Sequence, residues 1–183
     1  MVKKVFKNKD FLSSDGMLTH VWGPSLWHSL HIISFNYPNN PTPKDKIHYR
    51  NMIINLKHTL PCKYCRINLR NNLKCLPLKL KDMKNRNSFS TYVYKLHELI
   101  NKMLNKKSYL TYNDVKERYE HFRARCKTEK KEKKIKMNKT LKEIGCTTPL
   151  YGAKSKCIIK IVPKKTKCKT FQMSNKCKTR RLT

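Results

Sequence analysis

Glycine is scarce in this chain, with four in 183 residues, and none builds a G-x-G-x-x-G loop or precedes a Lys-Ser/Thr pair. Nucleotide cradles of those kinds therefore have no support. Acidic residues are few as well, eleven against 43 Lys and Arg, for a formal charge of +32. A surface so positive collects nucleic acid, acidic proteins or anionic headgroups. Lysine is nevertheless spread along the whole chain beside abundant Asn, so part of the charge is compositional bias. No apolar run approaches the roughly 20 residues needed to cross a bilayer. The opening "MVKKVFKNKDFLSSDG" lacks the apolar core of a signal peptide. The expectation is a cytosolic chain without a transmembrane segment, where lasting structural disulfides are rare. It nevertheless carries eight cysteines, which calls for a metal, for redox chemistry or for chance.

The length suits one core plus an extension. Residues 1–19 read as a flexible, polar leader with a turn at Asp15-Gly16, and 20–126 read as the folded domain. A first helix over 21–35 places Pro24 in its first turn and buries Trp22, Leu26, Leu30 and Ile33. "NYPNNPTP" ends it. Thr42 before Pro43 caps a second helix that carries Ile47, Met52, Ile54 and Leu56. Pro61 fits the first turn of a third, running through Ile67, Leu69 and Leu73. "LKCLPLKLKDMKNRN" reads as a weaker link. Ser88 or Ser90 opens a fourth helix with Tyr92, Leu96, Leu99, Ile100, Met103 and Leu104 inward. Thr111, followed by Asp114 at capping-box spacing, opens a short fifth with Val115, Tyr119 and Phe122. The fold class is all-α, a four-helix bundle with a short fifth helix. Residues 127–183 form a basic extension: a charge run, then Cys146, Cys157 and Cys168 eleven apart and Cys177 nine further on. "CIIKIV" within it could form one strand.

Cys62-x-x-Cys65 is the strongest chemical signal. A zinc knuckle needs a second ligand pair, and His58, Cys75 and His97 form no recognised one. Buried inert thiols suit a lone cysteine better than a pair opening a helix behind a proline. Free backbone N–H groups at a helix start stabilise a thiolate, with Lys63 and Arg66 adjacent. Redox chemistry is therefore favoured. Thioredoxin-like enzymes need a βαβ setting, and this pair is flanked by helical patterns. Trp27 and His31 lie one turn apart on the first helix, and His97 and Asn101 repeat that spacing on the fourth. Taken singly these are ordinary core or surface residues; together they offer the flat faces and polar partners a flavin requires.

The order of these motifs resembles the Erv/ALR family of FAD-linked sulfhydryl oxidases. Gly23, Trp27, Leu30, His31, Tyr37 and Pro38 in "WGPSLWHSLHIISFNYP" look like the family's opening pattern. Pro61, Cys62 and Cys65 stand where it has PCxxC. "HELINKMLNKKSY" brings His97, Ile100, Asn101, Lys106 and Tyr109 into register with its second motif. The resemblance covers about 20–126 and is nearest to members encoded by large cytoplasmic DNA viruses. It implies FAD in the mouth of the bundle, held by Gly23, Trp27, His31, Tyr37, His97, Ile100, Asn101, Lys106 and Tyr109. It implies Cys62 and Cys65 as catalytic residues and no metal. The implied partners are protein dithiols, dioxygen that leaves as hydrogen peroxide, and a second copy in a homodimer. The implied setting is the host cytoplasm and the virion. Two departures stand out: Glu98 replaces the first Asn of H-N-x-V-N, and only Cys75 lies between the active pair and Cys126. The rival from another class is a basic nucleic-acid-binding protein with a zinc-held cysteine site. For Cys146, Cys157, Cys168 and Cys177 three roles stay open: an electron shuttle, staples of a small appendage, or part of a basic tether.

Overall fold

The computed structural model describes residues 7–125, 146, 148–150, 153–163, 165–169 and 172–177. Cys126 and the charge run over 127–145 lie outside the described residues. The chain divides into two compact units, Met1–Tyr109 and Leu110–Thr183. The described helices are α1 (Asn8–Phe11), α2 (Thr19–Phe35), α3 (Pro43–Thr59), α4 (Lys63–Cys75), α5 (Arg86–Met103) and α6 (Tyr112–Glu120). The fold is all-α apart from the two-residue strands β1 (Ala124–Arg125) and β2 (Thr148–Pro149), paired antiparallel.

Local chemistry sets most helix starts. At α3, Thr42 Oγ1 accepts from the Asp45 amide at 3.1 Å, the Asp45 carboxylate accepts from the Thr42 amide at 2.8 Å, and Pro43 opens the helix. The Thr42 hydroxyl and amide hold the Asp45 carboxyl below its ordinary range. At α6, Thr111 and Asp114 form the same reciprocal pair. α5 starts earlier than either serine predicts: Asn85 caps it, accepting from the Ser88 amide at 2.9 Å. Ser90 lies inside the helix, donating to the Arg86 carbonyl at 2.8 Å. α2 starts at Thr19, so Pro24 falls inside it. Proline has no N–H to return to the preceding turn, but the Val21 and Trp22 amides reach the Leu18 carbonyl at 2.9 and 3.4 Å and begin the helix upstream.

In the first unit α2 packs on α5 and α3 on α4, with a 3-10 turn at Leu80–Met83 closing against α5 and α3. Leu30, Ile53, Leu69, Leu78, Met83, Phe89, Tyr92, Val93 and Leu96 form the core, with Trp22, Leu26, Tyr49, Met52 and Leu56 packed around it. Burying one such aliphatic or aromatic side chain contributes about 1.5–3 kcal/mol. Three sequence expectations shift here. Ile47 is 56 % exposed, because α3 turns Tyr49 and Ile53 inward instead. The segment read as a weak link supplies Leu78 and a fully buried Met83. Residues 157–162 form no strand, and Ile158, Ile159 and Ile161 are exposed.

Candidate active site

Cys62 is the N-cap of α4, so the helix begins at Lys63 and Pro61 precedes it rather than lying in its first turn. Cys62 and Cys65 are joined in a disulfide, their Cα atoms 5.1 Å apart. The Cys65 amide donates to Cys62 Sγ at 3.2 Å, so the sulfur takes the place an oxygen holds in an ordinary cap. The Arg66 guanidinium donates to the Leu60 carbonyl and braces the turn before the pair. Both cysteines are half-buried, and Cys65 packs against the core. The inner sulfur is therefore that of Cys65.

α2 carries the residues that continue from this disulfide. Thr19 Oγ1 lies 3.9 Å from Cys65 Sγ. One turn on, Gly23 faces Thr19 closely enough that an added Cβ would stand 3.7 Å from Thr19 Cγ2. A further turn brings Trp27, whose ring centroid is 6.2 Å from that of His31. His31 Nε2 and His97 Nδ1 are 3.0 Å apart, and Trp27 stacks on His97 at 4.0 Å and 6°. Thr19, Gly23, Trp27 and His31 thus occupy successive turns, on the order of 18 Å of helix at 1.5 Å per residue. They lead from the disulfide to the histidine pair.

Electrostatics keep that pair neutral. Burial pushes His31 down to about 3, with His97 and His28 opposing its protonation further. Burial and then the nearby Lys106 ammonium push His97 down to about 4. A neutral imidazole can donate from one ring nitrogen and accept at the other, so the contact needs one donor and one acceptor. Two imidazolium rings could not make it.

The remaining predicted site residues divide. Ile100 packs against the core, as Trp27 and Cys65 do. The Asn101 amide donates to Glu98 Oε1 at 3.1 Å, so Glu98 acts on that side chain from one turn earlier in α5. The Lys106 amide donates to the Asn101 carbonyl at 2.8 Å, folding the chain back after α5. Tyr109 is exposed. Tyr37 is not brought to this group: its side chain is fully buried, its hydroxyl donates to the Met83 carbonyl at 3.0 Å, and Tyr49 and Phe89 pack on its ring. Sequence reasoning missed Thr19. Its signal was position alone, one turn before Gly23. Gly16, read as a turn residue, is needed for a different reason: an added Cβ would meet the Pro61 carbonyl oxygen at 2.6 Å and Cys62 Cα at 2.8 Å.

These residues suit a flavin. The Gly23 position touches little of the protein itself, leaving room a side chain would fill. Neutral ring nitrogens, an indole face, an amide and an ammonium supply stacking, hydrogen bonds and a phosphate partner. A zinc-held site is not supported. Cys62 and Cys65 are bonded to each other, and among the described residues no three His, Cys, Asp or Glu are grouped to hold a metal ion.

A disulfide capping a helix in an all-helical bundle, continuous with an indole and two neutral imidazoles, defines a helical thiol–disulfide oxidoreductase rather than one of the βαβ kind. Comparison with known proteins gives the particular family. A family model described as Erv1 / Alr matches residues 24–120. A probable FAD-linked sulfhydryl oxidase of Acanthamoeba polyphaga mimivirus is 32 % identical over 99 residues, covering 54 % of this chain and 68 % of that protein. An FAD-linked sulfhydryl oxidase of African swine fever virus is equally similar, with 80 % of its length covered. The FAD-binding domain of Erv1 from Saccharomyces cerevisiae shares the fold, with a TM-score of 0.51 at 22 % identity over 56 % of this chain and 94 % of that one. The chain belongs to the Erv1/Alr family.

Proposed function

We infer that the α2 face from Thr19 to His31, with Cys62 and Cys65 at one end and His97 at the other, is the working site of the enzyme. The chain is an FAD-dependent thiol oxidase that forms disulfide bonds. The observation that carries the residue assignment is the unbroken succession from Cys65 through Thr19 and Gly23 to the stacked Trp27 and His97.

A substrate thiolate attacks Cys62 Sγ, the outer sulfur. A mixed disulfide forms, the Cys62–Cys65 bond breaks and its electron pair leaves on Cys65. The second substrate thiolate then attacks the mixed disulfide and releases Cys62, so the substrate gains a disulfide and the enzyme holds a dithiol. The Cys65 amide stabilises the charge on Cys62. Bound FAD supplies the two-electron acceptor that reoxidises the pair and the centre at which dioxygen becomes hydrogen peroxide. Gly23, Trp27, His31, His97, Ile100, Asn101 and Lys106 hold it, with neutral His31 and His97 offering ring nitrogens and Lys106 a charge for the pyrophosphate. Lys106 is exposed and surrounded by other lysines, so its charge is replaceable.

The substrates are protein dithiols. Among the described residues no helix is long and apolar enough to cross a membrane, and the viral relatives support action in host cytoplasm and carriage in the virion. Exposed Ile32 and Ile47 support a homodimer, since a chain this positive associates only where apolar burial offsets repulsion. The remaining basic surface holds anionic partners without sequence preference. The deciding experiment is spectral and kinetic together: the purified chain is yellow and consumes oxygen with dithiothreitol. A colourless protein without that activity refutes the reading.

A further inference from the structure

We propose that Thr19 is a catalytic residue of the thiol-exchange step, donating a hydrogen bond from its hydroxyl to the Cys65 sulfur as that sulfur leaves, and that Gly16 and Met17 hold it in place. The proposal rests on Cys62 and Cys65 being the redox pair and adds a residue to their chemistry.

Thr19 Oγ1 is 3.9 Å from Cys65 Sγ. A disulfide sulfur carries no hydrogen, so the hydroxyl is the donor. The other donor at the helix start is already assigned, since the Cys65 amide serves Cys62 Sγ at 3.2 Å. The nearby Arg66 guanidinium is turned to the Leu60 carbonyl. The two sulfurs thus have different partners: backbone for the outer one, Thr19 for the inner one.

Thr19 is held by the segment before it. The α2 N-cap, Leu18, offers no side-chain cap, so the start of the helix is located instead by contacts with Pro61 and Cys62, which lead into α4. The Met17 amide donates to the Pro61 carbonyl at 2.8 Å, and Trp22 Nε1 donates to the Met17 carbonyl at 3.0 Å. Gly16 lies flat on Pro61 and Cys62, where an added Cβ would fall 2.6 Å from a carbonyl oxygen and 2.8 Å from a backbone carbon. Neither atom is the end of a flexible side chain. Gly16 and Met17 are therefore positioning residues, fixing the first turn of α2 against the cap of α4.

In the step itself the substrate thiolate forms a bond to Cys62 Sγ, and the electron pair of the Cys62–Cys65 bond passes to Cys65. The Thr19 O–H turns onto that sulfur while its proton stays on oxygen. Thr19 thus makes Cys65 a better leaving group and keeps it a thiolate, the form that can pass electrons on.

The test uses the full chain with Cys62→Ser, which retains a capping acceptor and leaves Cys65 as a free thiol. Iodoacetamide labelling at neutral pH is followed peptide by peptide, with exposed Cys75 as reference in the same sample. Thr19→Val should slow Cys65 labelling about threefold to tenfold relative to Cys75, the expected loss of a hydrogen bond to a charged sulfur after the compensating rise in intrinsic nucleophilicity. Thr19→Ser should restore the rate, and Gly16→Ala should slow it with Thr19 still present. Equal labelling ratios with and without Thr19→Val overturn the proposal, as does a Thr19→Ser protein no faster than the valine variant. Failure of the underlying reading looks different: Cys62→Ser alone would then keep its turnover with dithiothreitol.

Discussion

In the unit ending at Tyr109, two cysteines cap and enter a helix, one of them packed against a core, with Leu60 before them and Leu69 after them buried. In the unit beginning at Leu110, Cys157 and Cys168 are free and exposed on chain without regular structure, beside exposed Ile158 and Ile159. Both stretches are rich in lysine and cysteine. What separates them is the donor at each sulfur. A helix start directs an N–H and, in this chain, a threonine hydroxyl at the pair, whereas Cys157 and Cys168 stand exposed outside any helix. Composition is shared between the regions, and reactivity follows from backbone geometry.

The most severe way to break the contrast is to remove the pair. Cys62→Ser or Cys65→Ser should reduce peroxide formation with dithiothreitol to background while leaving the far-ultraviolet helical signal unchanged. Retention of near-normal turnover by both variants would sink the assignment. Next in size is the cofactor face. Trp27→Ala or His97→Ala should lower the flavin-to-protein ratio and, because bound ligand stabilises the fold by mass action, the melting temperature. Met83→Ala is the control. It should cost about 2–5 kcal/mol of stability by opening a cavity yet keep its flavin at low temperature, since Met83 is a fully buried core residue and not one of those assigned to that face. Equal flavin loss in all three would mean the face is only part of the packing.

A smaller effect follows from the two neutral histidines. Unfolded, each imidazole takes a proton near its ordinary value of about 6.5. Folded, His97 resists until about 4 and His31 until about 3, burial being the main cause, with Lys106 adding to it at His97 and His97 and then His28 adding to it at His31. The unfolded chain therefore binds more protons throughout that window. Stability is complete above about pH 6.5 and falls as pH drops toward about 4, by at most about 1.4 kcal/mol per pH unit per histidine. Melting temperatures recorded from pH 7.5 to 5 check this, and His97→Gln should flatten the profile. A native profile already flat over that range counts against a neutral pair.

The sequence carried the helices wherever a cap and an apolar stripe agreed, as at Thr42-Pro43 and Thr111-Asp114. It failed where several caps competed. Asn85, Ser88 and Ser90 are all acceptable N-caps, and the choice falls to the depth at which Phe89, Val93 and Leu96 must lie in the core. Pro24 misplaced the start of α2 because the helix is begun by Leu18 and located by contacts with Pro61, 44 positions beyond Met17. Of the site, the cysteines, Trp27, His31 and His97 were legible because each belongs to a short motif. Tyr37 also belongs to one, yet its hydroxyl goes to Met83 in a segment that looked too weak to matter. Thr19 was invisible for the opposite reason: it has no motif, and its significance is a contact to a residue 46 positions away.

The smallest expected effect concerns the second unit and tests the contrast from its other side. Cys146 is disulfide-bonded, while Cys157, Cys168 and Cys177 are free and separated by eleven and nine positions. A dithiol shuttle gains speed when its two sulfurs close on each other through a short loop, as Cys62 and Cys65 do, and these three share no such loop. Replacing all three with serine should therefore leave turnover of dithiothreitol, and of a reduced protein substrate, within about twofold of the parent. Deleting the chain after Cys126 should also spare the small dithiol. It should slow an acidic protein substrate only at low salt, because attraction to a lysine-rich segment is screened beyond a Debye length of about 10 Å at 0.1 M. If protein-substrate turnover instead collapses at every salt concentration in both variants, the exposed cysteines carry electrons. The two regions would then differ in timing rather than in kind.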